Sequence, residues 1–267
     1  MGIKTSALSM KYSRGGSIVK EIKQFENQII CGDCLDVMPS LPDGCADLIL
    51  IDPPYLTTKE SWDKEEIVSE KLSQELIRIA KPSCSLYCWC GIGEKSQSLI
   101  RWIPIFSELW KFKDLITWKK KRGIGMRKGW LYAREEIMWF VKNNNQFVWN
   151  KESQYSDEKQ SGKFGFENLK IERATSEFKR IPNIWIDIPE QMKGSRTHFT
   201  PKPQKAIERI ILAHTKEGDT VFDCFAGIGT TCKAAQNLGR RYIGIEISPE
   251  YCKIARTRTE HREALFA

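Results

Sequence analysis

Two spacings of apolar residues alternate along this chain. Apolar-rich segments of strand length occur at residues 27–31, 46–51, 85–90, 220–225 and 241–247. Runs of this kind suit strands covered on both faces, as in a parallel sheet. Between them apolar residues recur at helical intervals, at Val68, Leu72, Leu76 and Ile79, and again at Ala206, Ile207, Ile210 and Ile211. Residues 35–41 predict a short helix closed by the turn Pro42-Asp43-Gly44, residues 230–238 a further helix, and Pro249 opens a last one. Asp63, with Glu66 three residues on, reads as the start of the helix that Lys81-Pro82 ends, and Pro203 suits a first helical position. Residues 115–118 and 136–141 predict two antiparallel strands joined by a basic loop, 119–129. Residues 143–194 lose this regularity except at 183–188 and read as an inserted module, and residues 1–27 as a polar, basic arm. Strand, helix and strand in repeated succession predict an α/β fold with a doubly wound, mostly parallel sheet.

Composition narrows the class of protein. No apolar run approaches the roughly 20 residues of a membrane helix, and residues 1–20 have no apolar core of signal-peptide type, which predicts a cytoplasmic protein without a membrane partner. Nine cysteines, scattered through strand-like and helix-like segments, suit reduced thiols. Cys31-Gly-Asp-Cys34 has C-x-x-C form and Cys84, Cys88 and Cys90 lie close together, but a zinc site from them would need irregular spacing within buried strands. They are read as small buried hydrophobes, with no metal. The net charge of +8 is concentrated. Lys111, Lys113, Lys119, Lys120, Lys121, Arg122, Arg127 and Lys128 face only Asp114 within 111–130, and such a one-signed segment predicts contact with a polyanion. The loop residues Lys119, Lys120, Lys121, Arg122, Arg127 and Lys128 are the candidate phosphate contacts to duplex DNA.

Two stretches carry candidate chemistry. Asp52-Pro53-Pro54-Tyr55 ends the run 46–51, where parallel sheets place ligands. The prolines have no N–H and hold their carbonyls off any ladder, so an acid, a fixed carbonyl and an aromatic face together suit a flat ring bearing an amine. The second stretch is strand, Gly227-Ile-Gly229 turn, helix, and a strand carrying Glu246 nineteen residues after Gly227. This layout suits an adenosine-containing cofactor whose ribose hydroxyls meet the acid. Cys232 stands where a dinucleotide fingerprint has its third glycine, and Asp223 beside the turn would repel a pyrophosphate while attracting a cation. The electrostatics favour S-adenosylmethionine over NAD.

Asp223-Cys-Phe-Ala-Gly-Ile-Gly-Thr-Thr231, preceded by His198-Phe-Thr-Pro-Lys-Pro203 and following Asp52-Pro-Pro-Tyr55 at a distance, resembles the amino-methylating DNA methyltransferases of bacteria and their phages, in the beta arrangement. Ile116-Thr-Trp-Lys119 and Glu135-Glu-Ile-Met-Trp-Phe140 look closest to adenine enzymes of restriction-modification type. The resemblance covers roughly residues 28–260 and implies a Rossmann-like sheet of seven strands, circularly permuted, with the catalytic half at 28–142, an inserted target-recognition region at 143–195 and the cofactor half at 196–267. It implies catalysis by Asp52, Pro53, Pro54 and Tyr55 on a flipped-out base. For the cofactor it implies Asp33, Cys34, Asp52, Asp223, Phe225, Gly227, Gly229, Thr230, Thr231 and Glu246, with Thr200 and Lys202 near the methionine carboxylate. Phe199-Thr200-Pro201 departs from the family's Pro-Thr-Gln. The implied reaction is methylation of adenine N6 within a short sequence. Cytosine N4, an RNA or protein amine, and a non-catalytic DNA-binding subunit stay open as alternatives, and the resemblance leaves room for a homodimer and a separately encoded restriction endonuclease.

Overall fold

The computed structural model describes residues 21–57, 66–93, 96–124, 130–159, 178–190 and 202–260. Residues 1–20 of the arm, the Asp63 cap, Arg127, Lys128 and Thr200 lie outside these residues, as do the side chains of Lys121 and Arg122. The first half of the chain forms β1 (Gln28–Cys31), α1 (Cys34–Val37), β2 (Ala46–Ile51), α2 (Glu70–Ile79), β3 (Ala80–Cys90) and α3 (Ser98–Ser107). Then follow β4 (Lys111–Ile124), β5 (Tyr132–Val141), β6 (Tyr155–Lys159), β7 (Phe178–Arg180) and β8 (Ile184–Trp185). The C-terminal part supplies α4 (Gln204–His214), β9 (Thr220–Asp223), α5 (Thr230–Asn237), β10 (Arg241–Glu246) and α6 (Pro249–Glu260).

Eight strands make one sheet in the order β1-β10-β9-β2-β3-β5-β4-β8. All pair in parallel except β5, which runs antiparallel to both neighbours. The expected seven strands are joined by the two-residue β8, which brings part of the segment read as an inserted module onto the sheet edge beside Thr117 and Trp118. Strands β9 and β10, late in sequence, sit between β1 and β2. From β2 the chain winds one way to β3, and from β9 the other way to β10, so the switch point lies between β2 and β9, where α/β sheets open a cleft at the strands' carboxyl ends.

Alternation along each strand divides the core between the two faces. Ile49 and Ile51 of β2 pack with Leu72, Leu76 and Ile79 of α2 and Trp102 and Phe106 of α3. Leu48 and Leu50 face the other way, onto Ile207, Ile210 and Ile211 of α4 and Ala234 and Ala235 of α5. Burying one Leu or Ile side chain stabilises by about 1.5–3 kcal/mol, so the two-sided covering of the central strands holds the switch point rigid.

Several element boundaries differ from the sequence expectation, each for a local reason. Helix α2 starts at Ser69, whose hydroxyl accepts from Leu72 N, rather than at Asp63. Glu66 instead accepts from Trp102 Nε1 of α3. Helix α2 stops at Ile79, just before Lys81-Pro82 as expected, but β3 begins directly at Ala80, and Pro82 falls where the β2–β3 register shifts between Ala46 and Leu48, so its missing N–H breaks no regular pairing. Helix α3, carrying Pro104, had no counterpart in the sequence reading. The basic loop is shorter than expected, because β4 continues past Trp118 with Lys119 opposite Arg134 and Ile124 opposite Tyr132.

Candidate active site

Asp52 follows the last residue of β2 and Asp223 ends β9, so the two acids flank the switch point. On the β2 side the chain leaves the sheet through Pro53 and Pro54 and turns at Leu56, which holds φ at 61°, a left-handed value rare for leucine and of the kind that gathers at functional sites. Just before it, Tyr55 reaches back to Asp52, its hydroxyl donating to Asp52 Oδ1 at 2.7 Å. The Tyr55 ring leans on Trp102 of α3, with centroids 5.9 Å apart. Burial, and then the carboxylates of Asp52 and Glu135, push the Tyr55 phenol well above its usual range, so it remains a donor.

Lys202 enters the same site from the segment before α4. Its Nζ lies 3.2 Å from Asp52 Oδ1, 3.2 Å from the Tyr55 oxygen and 3.0 Å from Glu135 Oε2. The rings of Tyr55 and Trp89 stand 5.1 and 5.2 Å from the ammonium. Lys120 of β4 reaches across to β5 and closes an ion pair on the other Glu135 oxygen, Oε1. Burial opposes the charge on Lys202, but Asp52 and Glu135 outweigh it and hold its pKa above the usual lysine range. Burial likewise works to raise the Glu135 carboxyl, and Lys202 and Lys120 overcome it. Asp52 moves upward because burial exceeds the help from Lys202 and Tyr55, although a third of its side chain stays exposed.

The other side of the cleft is built from backbone and acids. Gly227 and Gly229 hold φ at 52° and 78°. A Cβ on Gly229 would stand 2.9 Å from Ala255 Cβ, so helix α6 leaves room there for hydrogen alone. Glu246, at the end of β10, accepts from Gly227 N and from Ser248 N, both at 2.8 Å, one on each oxygen. These bonds only partly offset burial, which raises its pKa. Asp223 accepts from Phe225 N at 2.9 Å, and burial pushes it up to about 7 against the lowering bonds from Thr231 and Phe225. Asp33, at the end of β1, caps α1 by accepting from Leu35 N at 2.7 Å, and Gly32 N donates to the Glu246 carbonyl at 2.9 Å. Asp33, Cys34, Asp223, Phe225, Gly227, Gly229, Thr230, Thr231 and Glu246 therefore gather at the carboxyl ends of β1, β10 and β9, beside Asp52, Pro53, Pro54 and Tyr55.

Not every expected site residue joins this group as expected. Lys202, expected toward a cofactor carboxylate, spends its ammonium on Asp52, Tyr55 and Glu135. Lys120, expected as a phosphate contact in a loop, lies in β4 with its ammonium on Glu135, its Nζ 5.6 Å from the Trp118 ring. Lys119 points the other way and is exposed. Glu135 is not among the expected site residues, although Arg134-Glu135-Glu136, just before the buried apolar part of β5, carries a signal. Three acids or bases before a buried apolar run put at least one charge inside. Among the described residues no three His, Cys, Asp or Glu side chains assemble as metal ligands, and all nine cysteines are free thiols. No described helix is long and apolar enough to cross a membrane.

Residues 46–257 match a family model described as DNA methylase. The chain is 30% identical over 247 residues to the type II methyltransferase M.BglII of Bacillus subtilis, across 87% of this chain and 69% of that protein. It is also 30% identical over 257 residues to the DNA adenine methyltransferase YhdJ of Escherichia coli (strain K12), across 87% of this chain and 82% of that one. Among solved structures, the M1.HpyAVI–SAM complex has a TM-score of 0.62 at 23% identity, covering 88% of this chain and 99% of its own. The cytosine-N4-specific PvuII DNA methyltransferase has a TM-score of 0.64 at 17% identity, covering 90% of each chain. These two likenesses speak for the fold.

Proposed function

The chain belongs to the DNA methylase family that modifies the exocyclic amines of adenine N6 or cytosine N4, and from that premise we propose that it methylates adenine N6 within a short duplex sequence, using S-adenosylmethionine. The chemistry of the donor set fits this cofactor. Asp223 and Glu246 are 4% and 8% exposed, with no cation paired to either among the described ion pairs, which suits an ammonium and two ribose hydroxyls and would repel phosphates. Gly227 and Gly229, with Thr230, Thr231, Phe225, Asp33 and Cys34, would form the rest of the cradle. When bound, the cofactor supplies an electrophilic methyl group on a positively charged sulfur.

The remaining steps belong to the protein. The lone pair of an adenine amine is delocalised into the ring, so the amine must be held with its hydrogens aimed at acceptors before it can attack. Among the described contacts both Tyr55 and Lys202 engage Asp52 Oδ1, which leaves Oδ2 to accept one amine hydrogen, and the Pro53 carbonyl accepts the other. Asp52 Oδ2 and the Pro53 carbonyl would thereby hold the nitrogen's lone pair toward the methyl group that the cofactor would supply, and the extra proton would leave the nitrogen for water. Reaching that position requires flipping the base from the duplex, at a cost of a few kcal/mol. The Tyr55 ring would stack on it.

The observation that carries this reading is the placement of Asp52, fixed by Tyr55, across the switch point from Asp223. The preference for adenine rests on aspartate before Pro53-Pro54, where the family resemblance implies serine in many enzymes acting on cytosine. The test is methyl transfer from labelled cofactor to DNA, RNA and protein, with digestion of the DNA to nucleosides. N6-methyladenine is the expected product. N4-methylcytosine would move the substrate to cytosine, and label on RNA or protein alone would overturn the reading. Asp52→Ala should lose at least about a thousandfold in transfer rate, because both the acceptor and its orientation go, while binding the cofactor nearly as well. Duplex DNA is the proposed partner and the cytoplasm the proposed location. Co-purification and sedimentation would test a cognate endonuclease and a second copy of the chain.

A further inference from the structure

Asp52 is one end of a row of alternating charges, Asp52–Lys202–Glu135–Lys120, carried by four separate segments of the chain. Only 10% of the Lys202 side chain and 11% of the Glu135 side chain are exposed, so water does little to screen them. A buried lysine beside a single aspartate closes into a full contact pair, which keeps the acid ionised but occupies it. Here the ammonium is shared, at 3.0 Å from Glu135 and 3.2 Å from Asp52, and the Tyr55 and Trp89 rings confine it. Lys120 neutralises the remaining charge of Glu135.

We propose that Glu135 is a positioning residue for methyl transfer: it holds the Lys202 ammonium partly off Asp52, so that Lys202 still helps to keep Asp52 ionised while Asp52 has an oxygen to offer the substrate amine. The proposal rests on the reading of Asp52 as the acceptor of that amine. Remove the Glu135 charge, and Lys202 turns fully onto Asp52 and competes with the amine. The charged and titratable groups facing Asp52 are Lys202, Tyr55, Glu135, Asp223 and the Cys88 thiol, and of these Glu135 and Lys202 act in opposite directions on its protonation. Loss of Glu135 therefore makes Asp52 more acidic while making the enzyme slower. A general loss of folding would not produce that pairing.

The test measures methyl transfer in a single turnover, with saturating cofactor and duplex, from about pH 5 to 9, for the wild type, Glu135→Gln, Lys202→Met, the double variant and Asp52→Ala. Glu135→Gln should lower the plateau rate about tenfold, the value of one charge-assisted hydrogen bond, and shift the acid limb to lower pH. Lys202→Met should shift that limb to higher pH. In the Lys202→Met background, adding Glu135→Gln should change the plateau by less than about twofold, since Glu135 then has nothing to position. A Glu135→Gln enzyme with unchanged plateau and unchanged limb overturns the proposal, and so does a loss that multiplies independently with Lys202→Met. If Lys202→Met is inactive, the paired fall in rate and limb of Glu135→Gln decides alone. An active Asp52→Ala would remove the acceptor reading and this proposal together; an inactive one with an unaffected Glu135→Gln removes only this proposal.

Discussion

Asp52 and Asp223 end adjacent strands of one sheet, yet the protein surrounds them in opposite ways. Asp52 is met by a lysine that also meets a second acid, Glu135, which is met in turn by a second lysine, so the charges on the β2 side cancel within the protein. Asp223 and Glu246 are met by backbone N–H groups, and burial drives both upward, Asp223 to about 7. The difference fits what each side is proposed to receive. A neutral amine needs an ionised acceptor prepared in advance, and the Lys202 row prepares it. A cationic ligand brings its own counter-charge, so a lysine beside Asp223 would only compete with it. The β9–β10 side is therefore incomplete without ligand, and the β2 side is complete on its own.

The largest effect should come from filling that gap by substitution. Asp223→Asn keeps an oxygen for Phe225 N but removes the charge, and should weaken S-adenosylmethionine about 100-fold, as expected for a buried acid–ammonium contact. Calorimetric titration would show it. In the wild type, affinity should fall about tenfold per pH unit below 7, because the ligand must then expel a proton from Asp223, and the variant should be flat. The ligand-free protein should respond in the opposite sense. A carboxyl at about 7 when folded and near 3.8 when unfolded favours the fold below pH 4, and that advantage is lost as pH rises to 7. Above pH 7 the ligand-free variant should thus melt higher than the wild type. Equal melting temperatures there, with unchanged affinity, would erase the contrast between the two acids.

A buried base outside both halves of the cleft sharpens the same point by a smaller amount. His214 of α4 lies among the rings of Tyr87, Trp139 and Trp149, its Nδ1 2.7 Å from the Val148 carbonyl and its Nε2 2.6 Å from the Tyr87 hydroxyl. Nδ1 donates and Nε2 accepts, so the neutral ring is satisfied, and burial lowers its pKa to about 4. Unfolded histidine takes up its proton near 6.5 and the folded one does not, so stability present above 6.5 falls as pH drops to about 4, by up to a few kcal/mol. Urea titrations at pH 7 and 4.5 should show this loss, and His214→Phe should reduce the slope. Burial without a counter-charge then acts on an acid and a base in opposite pH directions. An identical slope in both proteins would deny it.

What the sequence made legible was what lies along one segment. The apolar run 46–51 placed Asp52 at a strand end, and the Gly227-Gly229 turn placed Glu246 beside it, because in parallel sheets strand ends share one side. Both inferences need only local periodicity and the direction of the chain. The Lys202–Glu135 pair joins residues 67 apart and depends on β5 running antiparallel next to β3, which no local pattern in 134–141 declares. Basic residues in 119–122 look alike in sequence whether they continue a strand or leave it. The ladder of β4 with β5 decides, by sending Lys120 toward Glu135 and Lys119 to solvent.

That division gives the smallest expected effect and separates two lysines adjacent in sequence. If the basic segment meets DNA phosphates, Lys119 is available to it, while Lys120 is held inside the charge row of Asp52. Lys119→Gln should weaken binding to any duplex by a few-fold and lower the slope of log affinity against log salt by about one, the loss of a single phosphate contact. Lys120→Gln should leave that slope nearly unchanged and instead move the acid limb of methyl transfer to higher pH, since Glu135 then has only Lys202 to answer its charge and draws it further from Asp52, which loses part of the help that keeps it ionised. Fluorescence anisotropy across a salt series, beside single-turnover rates, distinguishes the two. A slope change for Lys120→Gln equal to that of Lys119→Gln would return Lys120 to the DNA surface and make the row of four charges a row of three.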